Sequence, residues 1–327
     1  MDLQLDETQA QVVSGVQAIL QHYRDLPTAH RRDRNYYSLE LDDQLGRNGY
    51  LDIARTEGMS GLEAALVVME VSTVPAAVET GASVLVAPHV SPAVLPRPIA
   101  IINGDLMKAQ RFLPVARTAL IDLGDDVLAL PVDSANVEAV ETIYAYPFGR
   151  FRSAPDLSKA VRLGRDAVAP LRQWWRVSLA AEAAGLMRSA VDFTVDYVKQ
   201  RRMFGSTLAA YQVVHHRLAE CHLMTEAVRA LALKAAWSAD PFDAAQAASF
   251  AQQSFQKVLF DTHQFNGGMG VTNEHKLHFW TYRFRALQSE AGGVNAAALD
   301  TAEMLWGPPS APQVDRVAVR MARLAAE

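Results

Sequence analysis

The chain has 327 residues, 50% of them apolar, and a formal net charge of -5. This length and apolar content allow a large buried core, and the basic residues are dispersed, which excludes a disordered chain and a surface built for DNA or RNA. The single cysteine, Cys221, excludes an internal disulfide and a multi-cysteine zinc site and predicts a reducing compartment, the cytoplasm.

Residues 1–95 predict an N-terminal α-helical domain. The first segment is acidic and amphipathic, unlike a signal peptide or a transit peptide, and its apolar residues recur at three- and four-residue spacing. These residues are Leu3, Leu5, Val12, Val13, Val16, Ile19 and Leu20. Four prolines interrupt the weakly charged stretch 80–104, so no membrane span is expected there.

Residues 96–155 predict a shortened β domain, because the sequence changes to short runs rich in β-branched and aromatic residues. The runs are AIIN, TALIDL, DVLALPV and VEAVETIYAY. Turn-forming residues separate them, among them Gly104 and the Gly-Asp-Asp segment at 124–126. We expect a small, mostly antiparallel sheet.

Residues 156–327 return to helical periodicity and predict a C-terminal domain of the four-helix-bundle type. In the first long segment, apolar residues form a stripe, and charged residues that include Glu182 take much of the remainder. The predicted helices cover roughly 166–203, 209–238, 241–266, 275–290 and 294–305, with a short tail helix after Pro312.

The segment RRMFGSTLAAYQ, residues 201–212, falls where one long helix ends and the next begins. Arg201 at that end can bind phosphate oxygens in a planar, charge-assisted geometry. Phe204 offers an aromatic ring, Gly205 permits a sharp turn, and Gln212 adds an amide that can hydrogen-bond a diphosphate or a ribose. The alternative is that the arginine only complements the helix dipole.

A second segment, QFNGGMG at 264–270, follows a helix. Its backbone N–H groups are open to an anion because three of its last four residues are glycines. The glycines are Gly267, Gly268 and Gly270. Gln264 and Asn266 add polar reach. A helix C-cap is the alternative explanation for the glycines, but both segments together favour a site for a dinucleotide pyrophosphate.

These residues resemble the acyl-CoA dehydrogenase family. In that family an arginine lies three residues before a Phe-Gly pair and a glutamine eight residues after the Phe, a spacing that Arg201, Phe204 and Gln212 reproduce. The family's Q-x-x-G-G-x-G segment matches Gln264 and the three glycines. The order of a helical, a β and a helical domain is also the family's order. The resemblance implies an acyl-CoA dehydrogenase-like fold and FAD as the cofactor.

The resemblance also implies a reaction, the α,β-dehydrogenation of a CoA thioester, in which a glutamate removes the α-proton and a hydride passes to the flavin. Family members place that glutamate at one of two positions. Counted without gaps, the two positions hold Ala291 and Trp175 in this chain. Neither side chain accepts a proton, so we expect no catalytic base.

Two nearby carboxylates are candidate substitutes. Glu290 precedes Ala291, but one residue of helix rotates a side chain by about 100°, which predicts that Glu290 points elsewhere unless the turn is remodelled. Glu182 shares a helix face with Trp175 but lies about 10 Å along the axis. We expect both glutamates to be solvated or ion-paired. A further hypothesis is that the bulky Trp175 fills the acyl pocket.

The β zone also lacks the Trp-Ile-Thr-Asn-like strand and the Glu-Pro-x-x-Gly-Ser segment of the family. In the family these lost groups serve a subunit's own flavin, whereas the arginine, glutamine and glycine groups reach the neighbouring subunit's flavin. The chain therefore resembles the smaller, base-free subunit of the actinobacterial α2β2 acyl-CoA dehydrogenases that shorten steroid side chains. This implies a longer catalytic partner, an FAD shared with it, and a chain that is inactive alone.

Two alternatives stay open. One is a self-sufficient homotetrameric acyl-CoA dehydrogenase with Glu290 or Glu182 as the base. The other is a flavin-free helical scaffold protein, which has no physical reason to keep the diphosphate-binding groups. No metal site is expected at His215 and His216, because adjacent helical residues diverge by about 100° and cannot grip one ion.

Overall fold

The computed structural model describes residues 4–27, 30 and 33–307. The N-terminal part is helical, as predicted, and side chains fix where its helices begin. Asp6 and Ser60 each form a capping box, in which the cap side chain and a residue three positions later bond each other's backbone N–H. The elements are α1 (Glu7–Leu20), α2 (Leu39–Arg47), α3 (Gly61–Val71), a π-helix (Gly81–Val86) and α4 (Ala87–Val90).

The central part forms two small sheets, so the prediction of one sheet was wrong. The strands are β1 (Ile99–Asn103), β2 (Gln110–Arg111), β3 (Thr118–Asp122), β4 (Val127–Pro131), β5 (Val137–Val140), β6 (Phe148–Phe151) and β7 (Val161–Arg162). One sheet has the order β1-β3-β4-β7 and the other β2-β6-β5. All pairs are antiparallel except β1–β3. The crossover through residues 104–117, which carries β2 into the other sheet, makes this parallel pair possible.

The larger sheet is buried on both faces, which explains its nearly uninterrupted apolar strands. Alternate residues of a strand point to opposite faces. Ile99 and Leu120 contribute to the main core with the helices, while Ile102 and Ile121 pack in a second core with Leu113 and residues of the smaller sheet. The larger sheet is therefore a layer between the helices and the smaller sheet.

The C-terminal part is a helical bundle, and the five predicted helices are confirmed. They are α5 (Val168–Gln200), α6 (Gln212–Ser238), α7 (Pro241–Gly270), α8 (Leu277–Gln288) and α9 (Gly293–Trp306), and a hairpin of β8 (Arg202–Met203) and β9 (Ser206–Thr207) joins α5 to α6. The predicted tail helix after Pro312 lies outside the described residues. The domain boundaries stay predictions, with β7 placed beyond residue 155.

The middle of α5 is buried on all sides rather than along one stripe, from Val177 to Met187. Small residues allow this close packing. A Cβ atom on Gly185 would lie 2.1 Å from the Met69 carbonyl oxygen of α3, so only glycine fits there. Glu182 is part of this buried stretch, with 5% of its surface exposed, so its prediction as part of a polar face was wrong.

No helix in the described part of the chain has both the length and the apolar character needed to cross a bilayer.

Candidate functional site

The first predicted segment forms a tight hairpin at the end of α5. The helix ends where the Arg201 backbone N–H donates to the Tyr197 carbonyl at 2.8 Å, and the Leu208 N–H then donates back to the Arg201 carbonyl at 2.8 Å. Phe204 and Gly205 form the turn, with φ of 53° and 83°. Two consecutive left-handed residues are what a two-residue hairpin of type I′ requires.

Phe204 is unusual in both backbone and exposure. A left-handed conformation costs an aromatic residue about 1–2 kcal/mol, and 89% of its surface is exposed. Neither property contributes to the packing of the described chain. A strained, exposed aromatic residue at a hairpin tip is typical of a contact with another molecule.

The second predicted segment ends α7 with an open backbone. The helix breaks at Gly267, whose φ of 58° and ψ of -146° are not helical, and a Cβ atom on Gly268 would meet nothing within 4 Å. Gly270 differs, because its Cβ would lie 2.8 Å from the Cβ of Asn266. Two glycines therefore leave the backbone accessible, and the third permits close packing.

Asn266 does not extend toward a ligand, so its predicted polar reach was wrong. It is fully buried, and its Nδ2 donates to Thr194 Oγ1 and to the Thr262 carbonyl, both at 2.8 Å. The amide therefore fixes the end of α7 to α5.

The two segments lie side by side because the helices that carry them pack together. Phe265 packs against the buried cluster of Val198, Val214 and Leu218, which joins the ends of α5 and α7 to the start of α6. The Arg217 guanidinium lies 5.1 Å from the centre of the Phe265 ring. Gln264 and Gln212 are thus carried by neighbouring helix ends.

Three polar side chains of the two segments make no contact that stabilises the described part of the fold. Arg201, Gln212 and Gln264 are exposed, and within residues 4–27, 30 and 33–307 none of their side chains forms a hydrogen bond or an ion pair. Apolar side chains surround them, each at least 40% exposed: Met203, Phe204, Val213, Met269 and Val271. We call these eight residues with Gly267 and Gly268 the diphosphate face.

A separate cavity of about 460 Å³ lies between the β part and the bundle. Its walls come from β1 and β2, from α5, from the turn between α8 and α9, and from Glu79 and Ala82 of the N-terminal part. The lining includes Ile99, Ile101, Asn103, Lys108, Gln110, Arg111, Phe112, Phe148, Trp175, Ser178, Glu290, Ala291 and Gly292. Both positions where the family resemblance placed a base, Ala291 and Trp175, line this cavity. Trp175 borders open space, which counts against the hypothesis that it fills the pocket.

Arg111 binds both candidate substitute carboxylates at once. Its Nη1 and Nη2 lie 2.5 Å and 3.1 Å from the two carboxylate oxygens of Glu182. Its Nε and Nη2 lie 2.6 Å and 2.9 Å from those of Glu290. All three guanidinium nitrogens are used, and each carboxylate is held in a bidentate geometry, the strongest form of ion pair.

Glu290 lines the cavity beside Ala291, because the turn there is remodelled, the one condition under which it was expected to do so. The rotation expected for a helix does not apply, because α8 ends at Gln288. Ala291, Gly292 and Gly293 follow with φ of 51°, 87° and 78°. This sharp left-handed turn brings Glu290 into the wall, where Trp175 Nε1 also donates to its Oε2 at 3.2 Å.

Tyr146 and Arg283 also lie close to Arg111 and its two glutamates. Tyr146 donates to Glu182 Oε2 at 3.1 Å, and its ring lies 4.7 Å from the Arg111 guanidinium and 4.8 Å from that of Arg283. Burial raises the pKa of Glu290, Arg111 opposes this shift, and repulsion from Glu182 adds to it. Burial alone would lower the pKa of Arg111. The charges of Glu182 and Glu290 have the larger effect, so the pKa lies well above its usual value.

Sequence reasoning missed Arg111 and Tyr146. Both glutamates occur in largely apolar surroundings in the sequence, and a buried carboxylate needs a cation, so a partner was foreseeable. Its identity was not, because Arg111 is 71 residues from Glu182 and 179 from Glu290.

His278, in the first turn of α8, makes the stability of the fold depend on pH. Burial lowers the pKa of His278 to about 4, from a usual 6.5, although its bond to the His275 carbonyl, 2.6 Å long, opposes the shift. Between these pH values the unfolded chain binds the proton and the folded chain does not, so stability falls as pH falls.

We expect urea denaturation of the wild-type chain to show this loss between pH 6.5 and 4, with up to about 1.4 kcal/mol per pH unit from one histidine. His278→Asn should give a shallower slope. The matched change of the exposed His215, His215→Asn, should leave the slope as in wild type, and an unchanged slope in H278N would contradict the assignment.

Comparison with known proteins agrees with this architecture. Residues 167–304 match the family model described as acyl-CoA dehydrogenase, C-terminal domain. A curated relative, the acyl-CoA dehydrogenase IpdE2 of Mycobacterium tuberculosis, is 31% identical over 107 residues, which are 33% of this chain and 34% of that protein. The match thus spans about a third of the length of this curated relative.

Solved structures match over nearly the whole chain. The ChsE4-ChsE5 complex from Mycobacterium tuberculosis contains a chain with a TM-score of 0.77 and 20% identity, covering 95% of this chain and 100% of that one. The Tcur3481-Tcur3483 steroid ACAD, solved as a variant, gives a TM-score of 0.77 and 21% identity, with 91% and 98% covered. The chain therefore has the acyl-CoA dehydrogenase fold, as predicted, and its residues 167–304 correspond to that family's C-terminal domain.

Proposed function

We propose that this chain is a subunit of an FAD-dependent acyl-CoA dehydrogenase that contributes contacts to the FAD pyrophosphate and adenosine in trans and supplies no catalytic base. The partner is a longer catalytic acyl-CoA dehydrogenase chain, in an α2β2 heterotetramer. The reaction of the complex is the α,β-dehydrogenation of a CoA thioester, with a steroid side chain as the acyl group.

One observation carries the proposal: the diphosphate face lies on the outer surface, apart from the cavity. None of its residues lines the 460 Å³ cavity. Ligand sites bury most of their ligand in a concave pocket, so a dinucleotide on this exposed face needs a second protein surface to cover it. The exposed apolar residues around the polar groups suit such a cover.

The residues of the face fit an FAD diphosphate. Gly267 and Gly268 are exposed and carry no side chain that would block a ligand, and the Arg201 guanidinium and the amides of Gln212 and Gln264 supply a cation and neutral donors. Phe204 and Gly205 form the hairpin tip, and Gly270 allows the last turn of α7 to pack closely on Asn266. The bound flavin would supply the oxidation chemistry, and this chain's groups would hold its diphosphate arm.

The residues that line the cavity support the proposal that this chain supplies no catalytic base. Trp175 and Ala291 cannot accept a proton, and Arg111 holds Glu182 and Glu290 through every carboxylate oxygen. A base must reach the proton that it removes. A carboxylate held by two guanidinium nitrogens must first leave that ion pair.

The partner and the substrate are proposed from the structural neighbours. Two of them are complexes of two differently named chains, ChsE4-ChsE5 and Tcur3481-Tcur3483, and the second is described as a steroid ACAD. Because identities near 20% show the fold alone, the steroid substrate and the longer partner rest on this likeness and on the sequence resemblance.

A self-sufficient dehydrogenase is the second candidate, and one observation favours it: Glu290 lines the cavity next to Ala291. The purified chain, incubated with an acyl-CoA in deuterated water, separates the two. Exchange of the α-proton that is lost in Glu290→Gln would favour the self-sufficient enzyme. The absence of exchange would favour the subunit.

The proposed subunit should be colourless when expressed alone and should acquire flavin only with its partner. The measurement is the absorbance spectrum near 450 nm of the chain purified alone and of the chain co-expressed with a longer acyl-CoA dehydrogenase. Stoichiometric FAD and acyl-CoA oxidation in the chain alone would contradict the proposal. Co-purification with a partner and no flavin would favour a scaffold protein instead.

A further inference from the structure

Arg111 faces two carboxylates that differ in setting. Glu182 lies in the buried middle of α5 and also accepts the Tyr146 hydroxyl. Glu290 lies in the cavity wall on the short turn after α8. One carboxylate therefore belongs to the protein framework, and the other reaches the guanidinium from the cavity side.

Glu290 supplies the acceptors on the cavity side of Arg111, whose Nε and Nη2 both donate to its carboxylate. Without Glu290 the Nε atom would lose its acceptor and Nη2 would lose one of its two, at a buried site where an unsatisfied donor is costly. Glu79 also lines the cavity, but its carboxylate accepts from backbone N–H groups, among them that of Ile99. The cavity side of Arg111 therefore favours a carboxylate that binds both nitrogens.

The space in front of this anion suits a small ligand. The cavity volume of about 460 Å³ lies within the range typical of small-molecule sites. Ile99, Ile101, Phe112 and Phe148 give it an apolar wall. A short apolar chain that ends in a carboxylate would match both the wall and the guanidinium.

We propose that the cavity side of Arg111 is a receptor for the carboxylate of a small ligand, which Glu290 occupies until that carboxylate displaces it. The ligand class is a short dicarboxylate or an acyl group that bears a terminal carboxylate. No covalent bond changes: one carboxylate replaces another on the Nε and Nη2 atoms of Arg111. The proposal is independent of the flavin and of the partner chain.

Calorimetric titration of the purified chain with glutarate tests the proposal. In Glu290→Gln the internal competitor is gone while Arg111 and Glu182 remain, so glutarate should bind at least about ten-fold more tightly than to wild type. Glutaramide, which is similar in shape but uncharged, should bind neither protein measurably. The free acid and a CoA thioester of glutarate, titrated in parallel, distinguish a free dicarboxylate from a carboxylated acyl group.

The triple variant R111M/E182Q/E290Q is the control, because it removes the guanidinium together with both carboxylates. It should bind no glutarate. Equal glutarate affinity in E290Q and wild type, or binding by the triple variant as tight as by E290Q, would overturn the proposal. If E290Q does not melt cooperatively, Glu290→Ala takes its place with the same expected order of affinities. Flavin retention by the complex is a separate readout and tests the subunit role alone.

Discussion

Replacing Arg201 with glutamine is expected to weaken FAD binding by the assembled complex about ten- to a hundred-fold. The guanidinium is exposed and has no side-chain partner in the described part of the chain, so the change removes a contact to phosphate rather than a contact of the fold. A hydrogen bond to a charged group contributes about 1.5–3 kcal/mol, which gives this range of affinity. The dissociation constant can be measured from the fluorescence of FAD released on dilution.

Arg202→Gln is the matched control for this experiment. Arg202 is the adjacent residue, it is also exposed, and its change removes the same charge. Its Nη2 donates to the Gly205 carbonyl across the hairpin at 3.4 Å, so it should affect FAD binding less than Arg201. Equal weakening by both variants would indicate a general effect of surface charge and would contradict a specific phosphate contact at Arg201.

Replacing Arg111 with methionine is expected to lower the free energy of unfolding by about 3–5 kcal/mol, the usual cost of removing one partner from a buried ion pair. Glu182 and Glu290 would lose the cation that they contact directly, with 6% and 15% of their side chains exposed. Urea denaturation at neutral pH measures the loss. Because burial already raises the pKa of Glu290, the variant should regain part of its stability as pH falls and Glu290 takes up a proton.

The triple variant R111M/E182Q/E290Q separates the charge effect from loss of packing. Neutral side chains of similar volume need no cation, and replacing a whole buried ionic cluster is often nearly neutral in stability. We expect it to recover most of the stability lost in R111M. A triple variant as unstable as R111M would show that Arg111 acts through its packing and that the two glutamates are not its principal partners.

The helical part of the fold was predictable because its signals are local. The long helix α7 begins at Pro241, as the predicted range 241–266 requires, and it breaks at Gly267, directly after that range. The hairpin after α5 likewise follows from Gly205. The division of the β part into two sheets was not predictable, because strand pairing depends on contacts between distant segments.

The orientation of side chains around the cavity was likewise not predictable from the sequence. The orientation of Glu290 depends on three consecutive left-handed residues, and the first of them is Ala291, whose side chain gives no sign of that conformation. The polar residues, Phe204 and the glycines of the diphosphate face were predicted from residue types and spacing, whereas its other apolar residues were not. The role of the face in binding FAD stays a prediction. The structure adds that Arg201, Gln212 and Gln264 are exposed and that Asn266 is a buried anchor.

The most direct test of a flavin shared between two chains is the FAD content of the purified complex. Flavin absorbance, compared with the mass of the complex and the molar ratio of its chains, should give one FAD per heterodimer, and removal of this chain should release that FAD from the partner. Two FAD per heterodimer, or a partner that keeps its flavin equally well without this chain, would contradict the account.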